Sequence, residues 1–138
     1  MVDDEPGFRY LARSILEDVD GFKVVGQAAN GQEAIAQAAR LKPDAILLDL
    51  NMPGMGGLKA IPRLRTASPA SRIFVVSVAQ DQQELHQAKM AGAHGFIDKA
   101  LPNDSFVAAV QRCVAASAEG WSEHRRDSFG QHRRPVGD

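Results

Sequence analysis

Several residue types are scarce in this chain of 138 residues, and each scarcity excludes a class of protein. Cys113 is its only cysteine, which excludes an internal disulfide and a cysteine-rich zinc site. No apolar run approaches the roughly 18 residues that a membrane-spanning helix needs. The N-terminus opens with acidic residues rather than with the basic and apolar stretches of a signal peptide. We therefore expect a cytoplasmic protein that does not associate with membranes.

An excess of charge of one sign is also missing. Sixteen Lys and Arg against seventeen Asp and Glu leave a net charge of −1, so no global field attracts the protein to nucleic acid. The arginines near the C-terminus lack interleaved aromatic residues, and we predict no direct nucleic-acid binding by this chain. The remaining composition, 44% hydrophobic and 24% charged, is typical of one compact soluble domain.

The hydrophobic pattern alternates between short apolar runs and amphipathic segments. It predicts four strands, at 22–28, 45–48, 73–76 and 95–98. It also predicts five helices: at about 6–18, 31–41 and 58–68, one that begins at 81, and one from 102 to about 120. Asn30 and Glu33 form a helix-start signature, whereas Pro62 predicts a kink or a late start in the third helix. Strands that alternate with helices indicate an open parallel α/β sheet with helices on both faces, which makes three layers.

Polar side chains follow the predicted strands at their carboxyl ends, where open α/β sheets bind ligands. Asp3 and Asp4 precede the first helix, and Asp49, Ser77 and Lys99 each stand at or after the end of a later strand. Carboxylates gathered in one pocket repel one another, and a hard divalent cation with oxygen ligands relieves that repulsion. Mg²⁺ is the natural candidate, and a carboxylate beside it can act as a nucleophile toward a phosphoryl group.

Four short signatures, in this order along the chain, resemble those of the CheY-like receiver domain of two-component response regulators. They are VDDEP at 2–6, LLDLNMPG at 47–54, VSV at 76–78 and GFIDK at 95–99. Residues 91–100 and 108–110 are most similar to receivers of NarL/FixJ-type transcription regulators, which usually carry a C-terminal LuxR-type DNA-binding module. The resemblance covers about residues 1–121. It leaves 122–138 as a flexible tail, with no DNA-binding domain.

The resemblance implies a flavodoxin/CheY-like sheet of strand order 2-1-3-4-5 and a phosphorylation switch operated by a sensor histidine kinase. The domain would be no enzyme beyond accepting and losing its own phosphoryl group. The resemblance also implies a role for each site residue. Asp49 would be the phospho-acceptor, and Mg²⁺ would be bound by Asp3, Asp4, Asp49 and the backbone carbonyl of Asn51. Lys99 would pair with the phosphoryl oxygens, and Ser77 and Phe96 would be the switch residues.

The first strand departs from this pattern, because only Met1 and Val2 precede Asp3 whereas a strand typically has about five residues. An abbreviated central strand leaves unpaired backbone beside it, so homodimerisation with strand exchange at the N-terminus is one hypothesis. A second is a pseudo-receiver that acts as an interaction module without phosphorylation. A third is a phosphatase of the haloacid-dehalogenase type, although Asn51 stands where such an enzyme has its second acid.

Overall fold

A computed structural model of the chain describes residues 1–78, 81–116 and 120–126. Within these residues the four strands are β1 (Ala45–Leu48), β2 (Arg72–Ser77), β3 (Gly95–Asp98) and β4 (Ser122–His124). The five helices are α1 (Pro6–Glu17), α2 (Gly31–Leu41), α3 (Gly57–Ala67), α4 (Gln82–Ala91) and α5 (Asn103–Ala115). None of the described helices combines the length and the hydrophobicity that crossing a bilayer requires.

The four strands form one parallel sheet in the order β1-β2-β3-β4. Because side chains alternate along a strand, the sheet buries one apolar set on each face. Ile46, Val75 and Phe96 belong to the cluster that packs with α2, α3 and α4. Leu47, Val76 and Ile97 belong to the cluster that packs with α1 and α5. The predicted three-layer α/β fold is therefore confirmed.

The N-terminal residues lie beside β1, on the side away from β2. Val2 forms parallel bridges with Ala28 on one side and Leu48 on the other. Its N–H donates to the carbonyl of Leu47 at 2.8 Å, and its own carbonyl accepts from the N–H of Asp49 at 2.9 Å. The abbreviated first strand is confirmed as a single bridging residue. The complete strand order 2-1-3-4-5 stays a prediction, because its first two members pair here only as isolated bridges.

The predicted strand at 22–28 is wrong for all but its last residue. Only Ala28 pairs, through Val2, and the N-terminal ammonium of Met1 donates to the carbonyl of Gly26 at 3.2 Å. The preceding residues have no adjacent strand backbone with which to form a ladder. A cavity of about 460 Å³ instead separates residues 22–26 from β1, lined largely by apolar side chains.

The helix boundaries test two features of the sequence. The side chain of Asn30 accepts from the N–H of Glu33 at 2.9 Å, which confirms the predicted helix start. Helix α3 begins at Gly57 and continues through Pro62, so the predicted late start is wrong. Burial of Ala60, Ile61 and Leu64 on the sheet compensates for the backbone hydrogen bond that proline cannot donate.

The segment that begins at Ser122 is also different from its prediction as a flexible tail. Ser122–His124 form β4, which pairs with Gly95, Phe96 and Ile97 of β3, and the side chain of His124 is fully buried. This segment has no apolar periodicity of its own, and it is ordered because His124 is buried and because its backbone pairs with an open sheet edge. The rest of the predicted tail, residues 127–138, lies outside the described residues.

Gly57 permits the close approach of α3 to the loop that follows β1. A Cβ atom on this residue would lie 2.5 Å from the carbonyl oxygen of Asp49 and 2.7 Å from the Cα of Leu50. We expect Gly57→Ala to lower the free energy of unfolding by about 1–3 kcal/mol, because backbone has to move to admit the methyl group. Urea denaturation measures this. Gly7→Ala, where a Cβ meets nothing within 4 Å, is the control and should leave stability unchanged or slightly raised.

His94 makes the free energy of unfolding depend on pH, because the folded protein favours the neutral form of its imidazole. Its Nδ1 accepts from the N–H of Ile73 at 3.0 Å, and burial together with the charges of Arg65 and Arg72 lowers its pKa below 6.5. The unfolded chain therefore binds this proton more readily, and stability should fall as the pH drops below 6.5. Thermal unfolding between pH 5 and 7.5 should show a smaller loss for His94→Asn than for the unsubstituted protein. His86→Asn, at an exposed position, should not differ from the unsubstituted protein.

Candidate functional site

The carboxyl ends of the parallel strands bring together the polar residues that the sequence singles out. Asp3 follows the bridging residue Val2, and Asp49 follows β1. Ser77 ends β2, and Lys99 follows β3. The backbone N–H of Lys99 donates to the carbonyl of Ser77 at 3.0 Å, which fixes two of these strand ends to each other. The predicted convergence of the acids, the hydroxyl and the lysine is present in the structure.

Three carboxylates form the centre of this site. Asp3, Asp4 and Asp49 each offer an oxygen, and these oxygens lie within 4.8 Å of one another. Asp49 is only 4% exposed, and its Oδ1 accepts from the N–H of Asn51 at 3.0 Å. Burial raises the pKa of Asp49 to about 6, and the negative charges of Asp3 and Asp4 act in the same direction. The site therefore concentrates negative charge where water screens it poorly.

Lys99 partly neutralises this negative charge. Its Nζ lies 2.8 Å from Oδ2 of Asp3, 2.7 Å from Oε1 of Glu5 and 3.6 Å from Oδ2 of Asp49. Burial alone would lower the pKa of Lys99, but the hydrogen bond to Glu5 and the negative charges of Asp3 and Asp49 raise it well above its usual range. Lys99 is therefore a fixed cation beside Asp49. Lys99 alone does not balance the carboxylates of Asp3, Asp4, Glu5 and Asp49, and the guanidinium of Arg9 meets the site only at the backbone carbonyl of Asp3.

The hydroxyl and the aromatic side chain singled out by the sequence lie nearby on neighbouring strands. Ser77 is fully buried, and its Oγ accepts from Nδ2 of Asn51 at 3.3 Å. Phe96 is fully buried in β3, where it pairs in register with Val75 of β2. Asn51 therefore connects Asp49, through its backbone N–H, with Ser77, through its side chain.

Two residues at the site were not predicted from the sequence as site residues. Glu5 forms the shortest of the Lys99 ion pairs, and Lys99 Nζ lies 4.6 Å from the centroid of the Phe8 ring. Glu5 belongs to the acidic run at the N-terminus, which was the available signal. Phe8 belongs to the apolar face of α1, where nothing distinguishes it from an ordinary core residue.

The three-carboxylate cluster fits a hard divalent cation. Asp3 Oδ2 is buried and has Lys99 Nζ at 2.8 Å, but none of the described donors meets it with hydrogen-bond geometry. A buried carboxylate oxygen with unused bonding capacity is costly, and a metal ion with oxygen ligands would satisfy it. Asp3, Asp4 and Asp49 would supply the protein ligands. Coordination by the carbonyl of Asn51 stays a prediction.

Comparison with known proteins agrees with this fold and site, which together define an α/β domain with an acidic cluster at the carboxyl edge of its sheet. The chain is 36% identical over 115 residues to the nitrate/nitrite response regulator protein NarL of Escherichia coli (strain K12), covering 83% of this chain and 53% of that protein. It is 35% identical over 115 residues to the response regulator GacA of Pseudomonas aeruginosa, covering 83% of this chain and 54% of that protein. The chain thus spans about half the length of these relatives.

Solved structures give the same result. The signal receiver domain of the putative response regulator NarL from Mycobacterium tuberculosis superposes with a TM-score of 0.77 at 31% identity, covering 84% of this chain and 94% of that one. The chemotaxis protein CheY4 of Vibrio cholerae superposes with a TM-score of 0.74 at 28% identity, covering 81% and 93%. The response regulator receiver domain family matches residues 1–111, and the chain belongs to this family.

Membership confirms the predicted class of protein: a receiver domain of two-component response regulators, similar to the response regulators NarL and GacA. Receiver domains are phospho-accepting signalling domains that pair with sensor histidine kinases and generally bind Mg²⁺ at acidic clusters. The dehalogenase-type phosphatase is therefore not retained as a hypothesis.

Millimolar MgCl₂ should raise the thermal unfolding temperature, because a ligand that binds only the folded protein stabilises it. The gain is about 2.7 kcal/mol when the metal concentration is about a hundred times the dissociation constant. NaCl at equal ionic strength should give a smaller rise. Asp4→Asn, which changes the least buried of the three carboxylates, should reduce the Mg²⁺ effect, whereas Asp104→Asn on α5 should not. An equal response of both variants would contradict the assignment of Asp4 as a ligand.

Proposed function

We propose that this domain accepts a phosphoryl group on Asp49 from the phosphohistidine of a sensor kinase. The observation that carries the proposal is the position of Asp49, which is buried at the carboxyl end of β1 as a member of the acidic cluster, with Lys99 Nζ 3.6 Å from its Oδ2. Such a carboxylate has both a metal-type ligand set and a fixed cation beside it. These are the two kinds of group that stabilise a transferring phosphoryl group.

The transfer is a substitution at phosphorus. A carboxylate oxygen of Asp49 forms a bond to phosphorus as the bond from phosphorus to the kinase imidazole breaks, and the imidazole nitrogen keeps the electron pair. Lys99 is placed to pair with the phosphoryl oxygens, because its ammonium already lies 3.6 Å from Oδ2 of Asp49. A bound Mg²⁺ would supply further neutralisation of those oxygens. Attack of water on the same phosphorus would return Asp49 to its free form, so no separate substrate is turned over.

The signal would leave the site through Ser77 and Phe96. The hydroxyl of Ser77 is held by Asn51 and can exchange that partner for a phosphoryl oxygen on Asp49. Movement of Ser77 would make room beside β3 for Phe96, which is fully buried on the neighbouring strand. A change of packing around two buried side chains is a bistable element of the kind that phosphorylation controls.

The extent of the domain is part of this proposal, and it includes β4 (Ser122–His124), beyond the boundary at about residue 121 that the resemblance implies. The relatives NarL and GacA are whole regulators, and this chain spans about half of their length. We propose that the chain described here receives the phosphoryl group and presents a switched surface to a partner, without itself contacting DNA. An interaction module that works without phosphorylation is the alternative, and the experiment below separates the two.

Dimerisation through the N-terminal end is a second proposal. The cavity of about 460 Å³ is bordered by residues 22–26 and by β1, and its lining is largely apolar. These features favour an added strand from a second copy of the chain. Sedimentation measured over a range of concentrations tests this directly, since exchange requires a dimer.

Acetyl phosphate and Mg²⁺ should add one phosphoryl group to the protein, detected by intact mass, because a small acyl phosphate can replace the kinase as donor. Asp49→Asn should remove this uptake, since an amide is not a nucleophile toward phosphorus. Asp44→Asn, at an exposed position before β1, is the matched control and should behave like the unsubstituted protein. Uptake that survives in Asp49→Asn would place the acceptor elsewhere, and its absence from the unsubstituted protein would favour the phosphorylation-independent module.

A further inference from the structure

The edge of β3 is covered by the chain itself. Residues Trp121–Arg126, which we call the C-terminal strap, follow α5 and return to β3, where Ser122, Glu123 and His124 pair in parallel with Gly95, Phe96 and Ile97. An open sheet edge is a template for pairing with another polypeptide. The strap therefore occupies, within the same chain, a place that an extended segment of a partner could take.

Two arginines attach the strap to the side chains of β3. Nε of Arg126 lies 3.1 Å from Oδ2 of Asp98, a carboxylate that is only 1% exposed. The guanidinium carbon of Arg125 lies 5.7 Å from the centroid of the Phe96 ring. The first contact is an ion pair with a buried charge, and the second is a cation–π contact. Both attach the strap to residues beside the phosphoryl-acceptor site.

The strap also contacts α4. Both terminal nitrogens of Arg125 lie 2.7 Å from the side-chain oxygen of Gln82 when that amide is oriented to accept from them. Nζ of Lys89 lies 5.9 Å from the centroid of the Trp121 ring. Glu123 organises the strap internally, since it pairs with Nε of Arg125 at 3.1 Å and accepts from Nε1 of Trp121 at 3.1 Å. Trp121 also packs against the hydrophobic cluster and His124 is fully buried, so the strap is held by apolar as well as polar contacts.

Gly95 makes room for this pairing. A Cβ atom at this position would lie 2.8 Å from the carbonyl oxygen of Ser122 and 3.3 Å from Cδ1 of Phe74. The first of these atoms is backbone of the strap itself, so it can move away only if the strap does. The close approach of β4 to β3 therefore depends on the missing side chain of residue 95.

The strap and the phosphoryl-acceptor site share one strand. Asp98, which binds Arg126, precedes Lys99 directly and pairs in register with Ser77. Phe96, which lies under Arg125, is the buried aromatic residue whose movement the proposed switch requires. A shift of Ser77 and Lys99 toward a phosphoryl group would therefore move the two side chains that the strap arginines contact.

We propose that the C-terminal strap is a displaceable occupant of the β3 edge, and that phosphorylation of Asp49 promotes its release. The second half of this statement rests on the proposed function. The surface under the strap fits an extended basic segment that adds parallel to β3 and presents arginine side chains to Asp98 and Phe96. A partner of that chemistry has to displace the strap before it can bind.

Hydrogen–deuterium exchange of the full chain tests the occupancy first, without any phosphoryl donor. Amides of Ser122–His124 should be protected in the unsubstituted protein. The double variant Arg125→Ala/Arg126→Ala should exchange about tenfold faster or more in β4 and along β3, because it loses contacts to a buried charge and an aromatic ring. Arg63→Ala, an exposed arginine on α3, is the matched control and should leave exchange unchanged. Unprotected amides at Ser122–His124 in the unsubstituted protein, or equal exchange in the double variant, would overturn the occupancy.

The coupling is then tested with acetyl phosphate and Mg²⁺, with intact mass recorded on the same samples. Faster exchange of β4 in the phosphorylated protein, and no change in Asp49→Asn, is the expected result. Complete phosphorylation with unaltered β4 exchange would overturn the coupling. Absence of any added phosphoryl group would overturn the proposed function and, with it, the coupled release, while a protected strap would still establish the occupancy.

Discussion

The ammonium of Lys99 among the carboxylates of Asp3, Glu5 and Asp49 is the interaction on which the site depends. Without this cation, buried acids at the carboxyl edge would oppose one another, and the edge could not hold them close enough to share a metal ion. Since Lys99 alone does not balance the carboxylates, the folded protein keeps an excess of negative charge at this edge, which a divalent cation would offset. Repulsion among these carboxylates lets a change of charge at the site shift its conformation, as a phosphorylation switch requires.

Backbone pairing decides whether this arrangement can form at all. Asp3 reaches Asp49 because Val2 inserts between Ala28 and Leu48, and the N–H of Asp49 donates to the carbonyl of Val2. A central strand reduced to one bridging residue is therefore sufficient to deliver the N-terminal acids. At the opposite end, residues 22–26 form no strand pairing within the described part of the chain, and a cavity of about 460 Å³ lies beside them.

The sequence predicted the parts of the molecule that rest on local pattern. The helices of Pro6–Glu17 and Gly31–Leu41, the buried strand Ala45–Leu48 and the polar strand ends follow from periodicity and capping, and the structure contains them. The stretch at 22–28 has strand composition, but a strand needs a neighbour, which no composition reveals. Ser122–His124 is the converse case: a polar tripeptide becomes a strand because the edge of β3 is open to it and because Arg126, just beyond it, pairs with the buried carboxylate of Asp98, 28 residues earlier in the chain. Contacts between residues so far apart in the chain cannot be predicted from the local hydrophobic pattern.

The position of the N-terminal ammonium has a practical consequence for handling the protein. It donates to the carbonyl of Gly26 at the mouth of the cleft between residues 22–26 and β1, so any residues fused ahead of Met1 have to run through that cleft. An affinity tag joined there by a polar, glycine-rich linker would place flexible chain against an apolar lining. A linker whose last few residues are valine or isoleucine would instead extend the central strand, and the purification handle would then become a structural part of the sheet.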